Sequence, residues 1–146
     1  GVSMAVIADP KVRDFGSGRI ETWVSLTRAF TTAPDAQIVF HYQDAGHYRY
    51  LRLTESGLTL GQVGASAVAS AGVKASLKRN LKLNAGQRVR IDIESATDVK
   101  VYLNGGAVPV FSYRFAAPAA GRVGLRTVGA RSLFDNVAVW SDFVLR

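Results

Sequence analysis

Cysteine is absent from the 146 residues, which excludes a disulfide framework, a thiolate metal site and a cysteine nucleophile together. The redox compartment therefore leaves no mark on the chain. No stretch approaches the roughly 18 to 20 consecutive apolar residues that cross a bilayer as a helix, and no basic-then-apolar leader is present. No membrane insertion is expected. Histidine occurs twice, at His41 and His47, too few and too close for a zinc site by themselves. A G-x-S-x-G elbow is missing, and "GQVGAS" and "GSGR" lack the glycine spacing and the lysine of a phosphate loop. No segment shows the 3.6-residue period of an amphipathic helix. The opening "GVSM" carries glycine where an initiator methionine belongs, which reads as a scar of tag removal on a segment of a longer protein with neighbouring domains.

What is present is apolar content of 48%, enough for one core, so residues 1–146 are expected to form a single domain. Lys and Arg number 18 against 11 acidic residues, a net charge of +7, and arginine outnumbers lysine. Guanidinium forks suit carboxylates, phosphates and sulfates, so an anionic partner is one expectation. Arginine that merely solubilises strand surfaces is the other. The basic residues are scattered rather than interleaved with aromatics in one motif, which does not favour nucleic acid.

Alternation is the dominant pattern. In "RIETWVSLTR" Ile20, Val24 and Leu26 share one face and Trp23 shares the other with Glu21, Ser25 and Thr27, the period of a strand. "VKASLKRNLKL" predicts a long strand with Val73, Ala75, Leu77, Leu81 and Leu83 inward and Lys74, Lys78 and Lys82 outward. "RVRIDIE" and "DVKVYLN" alternate in the same way. "DAG", "ESG", "NAG", "SATD" and "NGG" are turn chemistry between antiparallel strands. Many short strands with such punctuation describe an all-β, two-sheet antiparallel β-sandwich of jelly-roll type.

The stretch "VFHYQDAGHYRYLRL" concentrates both histidines and three of the five tyrosines. It predicts a hairpin, strands Ile38 to Gln43 and His47 to Leu53, with Gly46 in the left-handed position of a three-residue loop. That register opposes Tyr42 to Tyr48, His41 to Arg49 and Phe40 to Tyr50. Ile38, Phe40, Tyr42, Tyr48 and Tyr50 then face the core, while Val39, His41, Gln43, His47, Arg49 and Leu51 face outward. Three readings stay open: well-packed aromatics beside ordinary surface residues, a sugar platform, and an acid–base site.

"GRIETWVSL", the hairpin with "TESGLTLGQV", "LNAGQRVRIDIESATDVKVYLNGG" and "AAGRVGLRTVGARSLFDNVAVW" together resemble the concanavalin A-like lectin/glucanase superfamily, in particular its laminin-G-like and family 16 hydrolase-like jelly rolls. The resemblance implies a bent sandwich that binds glycan on a concave face or a rim of loops. It also implies a structural calcium ion held by Asp135 with Glu21 or Asp14, calcium wanting six to eight oxygens; the other reading of Asp135 is a turn residue accepting backbone N–H groups. The E-x-D-x-x-E pattern of family 16 is absent. "IDIE" supplies only Asp92 and Glu94, short of the carboxylate set that retaining hydrolysis needs. "YQDAGHYRY" resembles the Y-x-K-A-G-x-Y-x-Q signature of jelly-roll polysaccharide lyases at Tyr42, Ala45, Gly46 and Tyr48, with Asp44 and Tyr50 departing from it.

The resulting expectation is a noncatalytic carbohydrate-binding module, secreted or on a cell surface of a bacterium, that takes an acidic polysaccharide through Trp23, His41, Gln43, His47, Tyr48 and Arg49. A structural or adhesive spacer and a jelly-roll lyase or hydrolase are the alternatives.

Overall fold

The computed structural model describes residues 2–6, 17–28, 33–65, 71–129 and 131–141. Eleven strands fill most of them: β1 (Val2–Val6), β2 (Gly18–Thr27), β3 (Pro34–Asp44), β4 (His47–Thr54), β5 (Gly57–Val63), β6 (Gly72–Lys78), β7 (Gly86–Ile93), β8 (Asp98–Leu103), β9 (Phe111–Arg114), β10 (Arg122–Gly129) and β11 (Arg131–Ser141). No helix occurs among the described residues. The strands form two antiparallel sheets, one of six in the order β1-β10-β3-β4-β5-β6 and one of five in the order β11-β2-β7-β8-β9. The expected all-β sandwich is the observed one.

The alternating apolar positions meet between the sheets. Ile20, Val24, Val89, Ile91, Val99 and Val101 come from the five-stranded sheet and Ile38, Phe40, Leu51, Leu53 and Leu60 from the six-stranded one, all essentially without solvent contact. Each such side chain contributes about 1.5–3 kcal/mol through burial. Thr22 is the polar exception on the inner face of β2. Its hydroxyl donates to the Asp135 carbonyl at 2.9 Å, where the β11 register shifts between Asp135 and Ala138. The bulge in the edge strand thus satisfies a buried hydroxyl.

Two local expectations need correction. The basic strand after Gly72 ends at Lys78, not Leu83. Residues 79–85 form a loop tied back by Arg79 N to Ser56 O at 3.0 Å, Leu81 N to Glu55 O at 3.1 Å and Asn84 N to Leu26 O at 2.7 Å. Leu81 still reaches the core from that loop, but Val73 is 58% exposed, because the β5–β6 register slips between Leu60 and Gly61.

The second correction concerns the hairpin. Phe40 pairs with Arg49 and Val39 with Tyr50, and the ladder resumes only at Asp44 with His47. His41, inside this irregularity, has φ of 50°, a conformation L-residues seldom adopt. Relative to the expected register the main ladder is offset by one residue, and a one-residue offset exchanges the faces of a strand. Arg49, Leu51 and Leu53 therefore point into the sandwich, and Tyr48 and Tyr50 point away from it. Gly46 does not take the left-handed position; the turn is closed by Gly46 N donating to Asp44 Oδ1 at 2.8 Å, the side-chain turn that aspartate favours.

Candidate functional site

Arg49 and His41 were expected on an outward surface and are instead 3% and 1% exposed. The inner-face position carries the Arg49 side chain to the open end of the sandwich, where its guanidinium carbon lies 3.9 Å from the centroid of the Phe115 ring. Arg49 donates to Ala96 O at 2.8 Å and to Ala117 O from its other terminal nitrogen, and Nε reaches Gln62 Oε1 at 3.4 Å. It also meets His41 Nδ1 at 3.2 Å. A guanidinium only donates, so this nitrogen of His41 accepts and the proton sits on Nε2. Burial pushes Arg49 down to about 10, which leaves it charged at neutral pH. Arg49 is thus a brace that joins β4 to the loops after β7 and β9.

The tip of the hairpin stays in solvent. His47 Nδ1 lies 2.9 Å from Asp44 Oδ1, and this hydrogen bond, followed by that from Gly46 N, holds the Asp44 carboxyl below the usual aspartate range. Gln43 Nε2 reaches Ala120 O at 3.4 Å. His41, Gln43, His47, Tyr48 and Arg49 do converge, on one end-on cavity of about 110 Å3 closed by Gln62 and residues 117–119. Five of the six expected ligand-binding residues are brought together, although in a hole at the end of the sandwich rather than a trough on a sheet. The tyrosines pack together beside it, Tyr42 tilted against Tyr48 with centroids 5.8 Å apart and Tyr48 edge-to-face with Tyr50 at 6.4 Å. Tyr48 and Arg49 leave the strand on opposite faces, although both border the cavity. The "IDIE" carboxylates are engaged, Asp92 with Arg19 at 2.7 Å and Arg90 at 3.3 Å, and Glu94 with Lys100 at 2.8 Å.

Trp23 lies elsewhere, on the outer face of the five-stranded sheet and 40% exposed. Its strand partners are Asp135 on β11 and Arg88 on β7. The indole rests against Gly86, where a Cβ would stand 3.2 Å from the ring. A groove of about 390 Å3 follows, lined by Trp23, Ser25, Gly86, Leu133, Asp135 and Asn136. Asn136 adopts φ of 52° at the β11 bulge, and its N–H donates to Asp135 Oδ1 at 2.8 Å.

Gly86 and Asn136 were missed as site residues by sequence reasoning. The "NAG" and "FDN" strings were visible, but they were read only as turns or as a calcium carboxylate. The two described carboxylates expected to hold calcium are engaged elsewhere. Glu21 turns to Arg88 at 3.6 Å, Asp135 caps its own bulge, and no group of three or more His, Asp or Glu with metal-binding geometry occurs among the described residues. Asp14 lies outside them. On the same face Arg19, Arg88 and Arg90 are all ion-paired, so its cations are locally balanced.

Comparison with known proteins places this geometry in context. No family model and no curated protein sequence matches the chain. Among solved structures, the carbohydrate-binding module CBM66 from Bacillus subtilis superposes with a TM-score of 0.78 at 16% identity, covering 97% of this chain and 83% of the other. Sheep galectin-11 in complex with glycerol gives a TM-score of 0.63 at 10% identity over 94% of this chain and 96% of its own. The Caenorhabditis elegans galectin LEC-6 gives 0.62 at 8% identity, with coverages of 94% and 89%. These likenesses establish a lectin-like jelly-roll fold.

Proposed function

We propose that this domain binds saccharide in the groove floored by Trp23. The observation that carries the reading is the indole held open to solvent on Gly86, with a hydroxyl (Ser25), a carboxylate (Asp135) and an amide (Asn136) along the rim. A pyranose presents an apolar C–H face and a ring of hydroxyls. The first stacks on an exposed indole, and the second needs convergent acceptors and donors at its edge. Leu133, 66% exposed, extends the apolar floor. The carbohydrate-binding module among the structural neighbours supports the same reading.

The acidic preference is retained in one form. Asp135 disfavours a carboxylate in contact with the groove, and the neighbouring arginines are paired. The net charge of +7 therefore acts at long range, raising encounter with an anionic chain without selecting the ring that stacks. A secreted or surface location is part of the proposal, since polysaccharide is met there.

Calorimetry against neutral glucans, alginate, polygalacturonate and heparin tests it. Binding to at least one polymer is expected, weakened at least about tenfold by Trp23→Ala, which is about 1.4 kcal/mol. For an anionic polymer, raising the salt concentration should slow association more than it alters the complex. Indifference to every polymer, or equal binding by Trp23→Ala, overturns the reading.

A further inference from the structure

The end-on cavity next to the hairpin is not used by the Trp23 groove. The two sites lie on different sheets and near opposite ends of β7, whose first residue is Gly86 and whose last precedes the Ala96 loop by three positions. Eight residues of strand separate them by roughly 25 Å.

Chemically the cavity is one-sided. Among the described residues His41, Gln43, His47, Tyr48, Arg49 and Gln62 line it with polar groups, and no carboxylate does. Arg49 carries a full charge that lies almost wholly out of water, and among the described residues no Asp or Glu stands within ion-pairing distance of it. Its partners are the neutral oxygens of Ala96, Ala117 and Gln62 and the neutral His41 nitrogen. Those four bonds leave one of its five N–H donors over. A buried cation without a counter-charge costs stability unless an anion approaches. At the mouth, Gln43 holds Ala120 O by a long 3.4 Å bond that a better acceptor can replace, and His47, whose Nδ1–H donates to Asp44, offers an anion a donor from Nε2 only as the imidazolium. A volume of about 110 Å3 has room for a single small oxyanion group. Asp44, held below the usual aspartate range by His47, is the acid nearest the mouth and limits how tightly an anion is held.

We propose that this cavity is an oxyanion subsite, separate from the saccharide groove, that takes one carboxylate or sulfate group. It rests on the Arg49 geometry and stands whether or not the Trp23 groove binds sugar.

The test is an amide chemical-shift titration of the intact domain with acetate, glucuronate, sulfate and glucose at about pH 5.5, where an ordinary imidazole is protonated and the carboxylates are ionised, at constant ionic strength maintained with chloride. Saturable shifts at Gly64, Ala65 and Ala117 are expected with an apparent Kd of about 1–10 mM, for acetate and glucuronate if the source is a uronate and for sulfate if it is a sulfate ester. Glucose should leave those amides unmoved. The Gln43→Ala/His47→Ala double variant, altered only at the exposed mouth, should weaken the effect about tenfold, whereas Trp23→Ala should not change it. Linear shifts with every anion, or saturable shifts that persist undiminished in the double variant, overturn the proposal. Loss of saccharide binding in Trp23→Ala with the anion response intact separates the two sites.

Discussion

The guanidinium of Arg49 lies over the ring of Phe115, 3.9 Å from its centroid, and so joins the β4 strand to the segment that follows β9. An aliphatic side chain in its place would leave the Ala117 carbonyl without this donor and the Ala96 carbonyl with only the Ala119 N–H. Arg49→Ala should therefore destabilise the domain by about 2–4 kcal/mol through unpaired acceptors and lost packing. Urea unfolding measures this, and a loss under about 0.5 kcal/mol would contradict the bracing role.

Gly86 should govern saccharide binding without touching the core. Its Cα sits under the Trp23 indole, so Gly86→Leu lifts the ring off the sheet and fills the groove floor. Affinity for the best polymer should fall at least about tenfold, with unfolding free energy changed by less than about 1 kcal/mol, as expected at an exposed site. Calorimetry and urea unfolding on the same sample separate the two effects.

Gly121 fixes the return of the 116–120 segment that closes the end cavity. At φ of 158°, a Cβ there would stand 2.4 Å from the Tyr42 carbonyl oxygen, a backbone atom that cannot swing aside. Gly121→Ala should cost about 2–4 kcal/mol and speed hydrogen exchange at Ala119, whose N–H donates to Ala96 O at 3.1 Å. Unchanged exchange there would show that the segment is held by other means.

Acid should weaken the fold through the exposed Asp44 and the half-buried Asp98. Asp98 is held below the usual aspartate range chiefly by the Arg114 hydrogen bond, with Nε–Oδ1 of 2.7 Å, and Asp44 chiefly by that from His47. A carboxyl depressed in the folded state stabilises it above the unfolded pKa, near 3.9, and this contribution disappears as pH falls through the lower folded value. Stability should thus decline from about pH 5 downward, and Asp44→Asn with Asp98→Asn should flatten part of that decline. Both sites face solvent, so salt should reduce the difference between wild type and variant. Carboxyl carbon titrations should place both midpoints below the ordinary aspartate value; midpoints at or above it refute the assignment.

The alternation of Ile20, Val24 and Leu26 against Glu21, Trp23 and Ser25 was legible because strand period is a local property, and the exposure of Trp23 followed from it. The same logic gave β7 and β8 their correct faces. It failed at Arg49, where an irregular stretch around His41 changes the pairing by one residue and no local pattern announces it. Leu81 shows a related limit: an apolar residue in phase with a strand reached the core from a loop, because burial depends on where the backbone returns and not on phase alone.

By itself, then, the sequence determined the strand-rich class, the turns, most of the core and the identity of the aromatic residue on the outer face, all of which follow from short-range periodicity and turn chemistry. Tertiary structure alone decided that Gly86 and Asp135, 63 and 112 residues from Trp23 along the chain, share a groove with it, and that Arg49 turns inward over Phe115 to line a separate cavity. Those outcomes depend on strand order and on register between segments distant in sequence, which no single segment encodes.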